Sequence, residues 1–183
     1  MASIQPGDHR SYMQLALDLA QKSPPKPTNY RVGAVLVDLD SNAILATGYT
    51  LELPGNTHAE QCCLMKLAQQ HGVIEEDLVR VLPSHLALYT TVEPCSKRLS
   101  GNLPCAERVR RLAGSIRDVY VGVSEPETFV SQNTGKQMLQ DAGITILHVP
   151  GFESRILEVA TAGHIKDKPD IQAQSSSGIH PAP

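Results

Sequence analysis

VYVGV (119–123), TGKQMLQDA (134–142) and ITILHV (144–149) decide the fold. The first and last are short apolar, β-branched runs, and the middle one carries helical spacing that Gly143 stops. A helix between two strands leaves room for a crossover, so this pair is expected to run parallel, which a tight hairpin would forbid. Working outward, VGAVLV (32–37) reads as a strand buried on both faces, because it has no polar alternation. Asp38 to Asn42 supply a turn, and residues 43–48 return as a second strand. Residues 86–91 form a third strand, which makes 119–123 the fourth and 144–149 the fifth. Helices are predicted from Asp8 or Ser11 to before Pro24, over 58–70 with Gly72 just past the end, and over 105–112. A short one follows around 153–160. The expected architecture is α/β: three α/β/α layers around a mixed five-stranded sheet with strands 4 and 5 parallel.

The 183 residues suit one domain, predicted over 1–163, with a Ser-, Pro- and Gln-rich tail over 164–183 expected to be disordered. Aromatic residues are only 4% with no Trp, which argues against base stacking along a nucleic acid. The net charge of −3 leaves no overall basic footprint, so no long nucleic acid is expected as a partner. The amino-terminal stretch lacks a signal-peptide pattern, and no apolar run reaches membrane-spanning length; a cytoplasmic protein without membrane association is expected. In that compartment the four cysteines should be thiols or metal ligands rather than disulfides.

Three segments carry chemistry: Thr57-His58-Ala59-Glu60, Glu93-Pro94-Cys95 and Leu103-Pro104-Cys105-Ala106. An isolated His-x-Glu is uninformative, and a pair of cytosolic cysteines is more often buried packing. Their joint occurrence, one motif at a helix start and two after the next strand, points to a metal. One His and two Cys suit tetrahedral Zn2+ and leave a fourth corner for water, as a catalytic site requires. Helix amino-terminal ends stabilise thiolate. Glu60 is then free as the catalytic carboxylate that carries a proton from water to the substrate. A closed site of His58, Cys62, Cys95 and Cys105 is the structural alternative, since Cys62 lies one helical turn after His58. It leaves Glu60 unexplained. Cys63 reads as core.

His-x-Glu followed by Pro-Cys and a second Cys resembles the signature of the cytidine-deaminase-like zinc deaminases. Nucleobase deaminases usually place two residues between the cysteines, whereas Ser96 to Pro104 place nine here. That block, with Asn29-x-x-Val32-Gly33-Ala34-Val35, Glu125-Pro126 and Asp141-Ala142-Gly143-Ile144, is similar to the pyrimidine deaminases of riboflavin biosynthesis. The resemblance runs from about Asp8 to Val149. Bacterial relatives often add a reductase domain, for which this sequence has no room, so the stand-alone fungal type is expected. The resemblance implies hydrolytic deamination of 2,5-diamino-6-ribitylamino-4(3H)-pyrimidinone 5′-phosphate at C2, with release of ammonia. It also implies a homodimer and substrate contacts from Asn29, Ala59, Ser96, Lys97 and Arg98. Asn29 would bond the ring, and Lys97 and Arg98 would face the phosphate. Thr50 stands near where bacterial members carry a substrate-contacting His, and Tyr30 replaces the family's Pro. Arg108, Arg110 and Arg111 read as an exposed helix face and His71 as a surface residue at a helix end. Two alternatives stay open: a deaminase of guanine, a cytosine nucleotide or tRNA adenosine, and a non-catalytic zinc-bearing module.

Overall fold

The computed structural model describes residues 4–124 and 134–164. Its elements run α1 (His9–Ala20), β1 (Gly33–Asp38), β2 (Ala43–Tyr49), α2 (Ala59–His71), a 3₁₀ turn (Glu75–Arg80), β3 (Leu86–Val92), α3 (Cys105–Arg110), β4 (Ile116–Val123), α4 (Gly135–Asp141), β5 (Thr145–His148) and α5 (Glu153–Ala160). Glu125-Pro126 and almost all of the expected tail lie outside the described residues.

The five strands lie in the order β2-β1-β3-β4-β5. β1 pairs antiparallel with both β2 and β3, whereas β3–β4 and β4–β5 are parallel. Both parallel pairs follow from the helix that intervenes, α3 in one case and α4 in the other. Alternation sorts the side chains. Ala34, Leu36, Leu86 and Leu88 pack with α2, α3 and α4, and Val35, Val37, Ala87 and Tyr89 pack with α1 and α5. Three layers result, with the sheet buried on both faces, so β1 and β3 read as continuous apolar runs.

Local chemistry sets the boundaries. Asp8 caps α1 by accepting from Ser11 N at 3.1 Å, and Gly72 closes α2 in the left-handed region at φ 66°. Two differences from the expected elements have physical causes. β4 begins at Ile116 rather than at Val119 because its register with β3 shifts by one residue: Leu86 faces Ile116 while Ala87 faces Asp118. That irregularity returns Ile116 and Val119 to the same core despite their odd spacing, a pattern that simple alternation hides. The 3₁₀ turn has no apolar periodicity to announce it. It is held by fully buried Leu78 and by the Glu75 carboxylate, which accepts from Arg108 Nη1 at 2.6 Å.

One close approach positions the site. Gly48 of β2 lies against the first turn of α2, where a Cβ would collide with the Ala59 carbonyl oxygen and stand 3.0 Å from the Cys62 side chain and the Cys63 nitrogen. Only a glycine lets the helix start settle onto the strand there.

Candidate metal centre and cleft

β3 is flanked by an antiparallel neighbour on one side and a parallel one on the other. The chain leaving its carboxyl end therefore diverges from the connections of β1, and such a switch point leaves a crevice beyond the strand ends. Val92 is the last residue of β3, and Glu93-Pro94-Cys95 runs directly from it into this crevice. α2 and α3 point their amino ends at the same place, with His58 at the N-cap of α2 and Cys105 as the first residue of α3. Pro104 caps α3, a position where a missing N–H costs nothing.

His58, Cys95 and Cys105 converge as the sequence predicts. Their donor atoms lie within 4.8 Å of one another. His58 Nδ1 is 3.5 Å from Cys95 Sγ and 3.5 Å from Cys105 Sγ. Tetrahedral Zn2+ with a nitrogen ligand near 2.0–2.1 Å and a sulfur ligand near 2.3 Å separates those two donors by about 3.5 Å, so the set fits zinc. The Cys105 amide donates toward Cys95 Sγ at 3.4 Å, and the Ala106 amide donates to the Cys95 carbonyl at 3.1 Å. The α3 amino end thus supplies donors to the thiolate loop. A hydrogen bond from the Cys105 thiol pulls Cys95 well below the ordinary thiol range, with His58 adding to the effect.

Cys62 stays outside the cluster. Its side chain is fully buried under Gly48, and among the described residues only His58, Cys95 and Cys105 gather their donors. Cys63 is core, with its thiol 3.6 Å from the Ala34 carbonyl. The closed four-donor alternative is therefore excluded by geometry.

Glu60 is 3% exposed, in the first turn of α2, and faces the cleft beside the donors. Burial pushes its carboxyl above the ordinary carboxylate value, and the negative Cys95 adds to that. The Thr90 hydroxyl lies 2.9 Å from the Val92 carbonyl and 3.3 Å from Glu60 Oε1, so it serves one acceptor or the other and steadies the carboxylate.

The cleft has a volume of about 270 Å³, the size of a small ring with a short chain. Its floor is His58, Glu60 and Cys95, and its walls include Asn29, Tyr30, Thr50, Asn56, Lys97 and Arg98. Asn29 donates through Nδ2 to Asn56 Oδ1 at 2.7 Å and accepts at Oδ1 from the Thr28 hydroxyl at 3.0 Å. Thr50 is buried, with its hydroxyl accepting from the Val32 amide at 3.0 Å. Lys97 is exposed at the rim. Arg98 also lines the cleft but is 8% exposed, and its guanidinium is turned to Gln61 and Asn56. Ala59 and Ser96 flank the donors without lining the cleft. Asn56 and Thr90 carried no signal in the sequence: each is an ordinary polar residue that only the assembled fold brings to the cleft and its carboxylate. Arg108 is not an exposed face residue but a half-buried ion-pair partner of Glu75, with Nε 3.3 Å from the Leu103 carbonyl, and so it steadies the loop before Cys105.

Comparison with known proteins agrees with this geometry. A diaminohydroxyphosphoribosylamino-pyrimidine deaminase of Schizosaccharomyces pombe is 35% identical over 161 residues, which is 88% of this chain. The chain spans 37% of that relative's length. The crystal structure of Aspergillus oryzae Rib2 deaminase, a C-terminal deletion mutant at pH 4.6, is 51% identical, with a TM-score of 0.79 over 85% of this chain and 92% of that one. The same deaminase in complex with DARIPP is 50% identical, with a TM-score of 0.78 over 85% of this chain and 91% of that one. The family profile of the cytidine and deoxycytidylate deaminase zinc-binding region matches residues 6–123, a span that holds His58, Glu60, Cys95 and Cys105. With the three donors at zinc spacing and a buried carboxylate beside them, the chain belongs to that deaminase family.

Proposed function

We propose that this protein deaminates 2,5-diamino-6-ribitylamino-4(3H)-pyrimidinone 5′-phosphate at C2, releasing ammonia in riboflavin biosynthesis. The observation that carries this reading is a zinc-spaced donor set beside a buried Glu at the floor of a small cleft, in a chain half-identical to the fungal Rib2 deaminase.

His58, Cys95 and Cys105 would hold the zinc, which supplies a Lewis acid that lowers the pKa of water toward neutrality. Glu60 takes one proton from the attacking water and passes it to the ring nitrogen beside C2, then takes the second from the new C2 hydroxyl and passes it to the amine, which leaves as ammonia. A carboxyl raised by burial is suited to holding that proton. The Thr90 hydroxyl keeps the carboxylate aimed. Asn29 presents its carboxamide to the ring, and exposed Lys97 is the cation we assign to the phosphate. The cleft walls displace solvent from the ring, which strengthens each of these contacts.

A cytoplasmic location, expected from the sequence pattern, and a homodimer, implied by the family resemblance, belong to the same reading. The described residues contain no helix long and apolar enough to cross a membrane.

The test is ammonia release from the diaminopyrimidine phosphate and from cytidine, with native protein and Glu60→Gln. Native protein should prefer the former, and the variant should keep its zinc while turnover drops about 10²–10⁴-fold. Preference for cytidine overturns the substrate, and undiminished turnover in Glu60→Gln removes Glu60 from the mechanism.

A further inference from the structure

Arg98 stands in the loop between two metal donors, yet it is only 8% exposed. Its Nη1 donates to Gln61 Oε1 at 2.8 Å and its Nη2 to the backbone carbonyl of Asn56. Its Nε has no hydrogen-bond partner among the described residues. No carboxylate receives the charge in either bond. Burying a guanidinium on neutral acceptors, with one donor left over, is expensive. Such a group is retained sensibly where it holds separate segments in register.

Arg98 joins two segments that also meet where His58 approaches Cys95 and Cys105. Gln61 follows Glu60 directly in α2, and Asn56 lies two residues before His58. Asn56 in turn accepts from Asn29 through its side chain at 2.7 Å. One planar fork therefore ties the inter-cysteine loop to both ends of the segment 56–61, and Asn56 relays that tie to the cleft wall. A lysine has no fork with which to bridge two acceptors on separate segments. The amide of Asn29 keeps a second hydrogen for a ligand while its first is held by Asn56.

We propose that Arg98 is a positioning residue that locks the inter-cysteine loop to α2 and, through Asn56, orients the Asn29 carboxamide, so that it sets substrate affinity without contacting the phosphate. The kinetic part rests on the deaminase reading above; the structural part does not.

The test uses Arg98→Met, which keeps the stem and removes every donor, together with Arg98→Lys, Asn29→Ala and the double variant Arg98→Met/Asn29→Ala. Side-chain ¹⁵N relaxation of the Asn29 amide, assigned by its loss in Asn29→Ala, reports the brace directly. Arg98→Met should lower the order of that amide and leave zinc stoichiometry unchanged. KM should rise about 2–10-fold, in line with loss of one neutral hydrogen bond from Asn29 to the substrate. The rise should be equal for the phosphorylated pyrimidine and its dephosphorylated counterpart, with kcat moving far less. Arg98→Lys should lie between Arg98→Met and native protein. The double variant should be no worse than Asn29→Ala alone. A KM rise confined to the phosphorylated compound makes Arg98 a phosphate ligand and overturns the proposal, as does an Asn29 amide equally ordered in Arg98→Met. If native protein turns over neither pyrimidine, the functional reading falls, while the relaxation measurement still decides the brace. Should Arg98→Met not fold, Arg98→Lys and Gln61→Ala carry the same measurement.

Discussion

Replacing Gly48 with alanine should damage the metal centre from the far side of α2. The new Cβ would sit 3.0 Å from Cys62 Cβ and Cys63 N and closer still to the Ala59 carbonyl oxygen, and most of these are backbone atoms that cannot swing aside. Restoring an ordinary contact near 3.5 Å requires the helix start and β2 to separate by on the order of 1 Å. His58 is the N-cap of that helix and moves with it, whereas Cys95 follows β3 and Cys105 opens α3. Metal bonds tolerate only about 0.2 Å of error, so a displacement of this size should weaken zinc binding by about 10–100-fold. Overpacking itself should cost about 1–3 kcal/mol, or roughly 2–4 °C of melting temperature per kcal/mol for a domain of this size. The assays are competitive zinc titration against a chelator and a thermal melt of the zinc-loaded protein. Gly72→Ala is the control: it has a left-handed φ of 66° but nothing within 4 Å of a Cβ, so it should lose some stability and no zinc affinity. A Gly48→Ala protein with native zinc affinity would show that the helix–strand contact does not position His58.

Cys62→Ala should leave zinc stoichiometry intact at a modest cost in stability, whereas Cys105→Ala should abolish zinc retention; elemental analysis after dialysis separates them. Glu107 supplies a pH test. A hydrogen bond from Arg110, then one from Arg111, holds its carboxyl at about 2 in the folded protein, against an ordinary 4.5. Its folded value is depressed, so its contribution is fully present above about 4.5 and fades as pH falls toward about 2. The melting temperatures of native protein and Glu107→Gln should therefore differ at pH 6 and draw together as pH falls to about 2; a constant gap would show that the ion pairs of Glu107 do not act this way.

The convergence of His58, Cys95 and Cys105 was legible because their chemistry is local. Zinc demands particular atoms, and the placement of His58 and Cys105 at helix starts follows from capping and turn patterns read a few residues at a time. The parallel arrangement of β4 and β5 was legible for a similar reason, since a helix between two strands leaves little choice of direction. Other features needed the whole chain to be assembled. Whether Cys62 joins the donor set depends on which face of α2 the sheet buries, and Gly48, fourteen residues earlier in β2, decides that. Arg98 and Arg108 look like surface cations in one dimension. They become a buried brace and a half-buried ion pair only because Gln61, Asn56 and Glu75 arrive from other segments. Residue type and short-range spacing therefore determined the reactive atoms, because ligand chemistry and capping act within a few bonds or one helical turn. Long-range packing decided which side chains aim those atoms, because burial and hydrogen-bond partners are properties of neighbours that are distant along the chain.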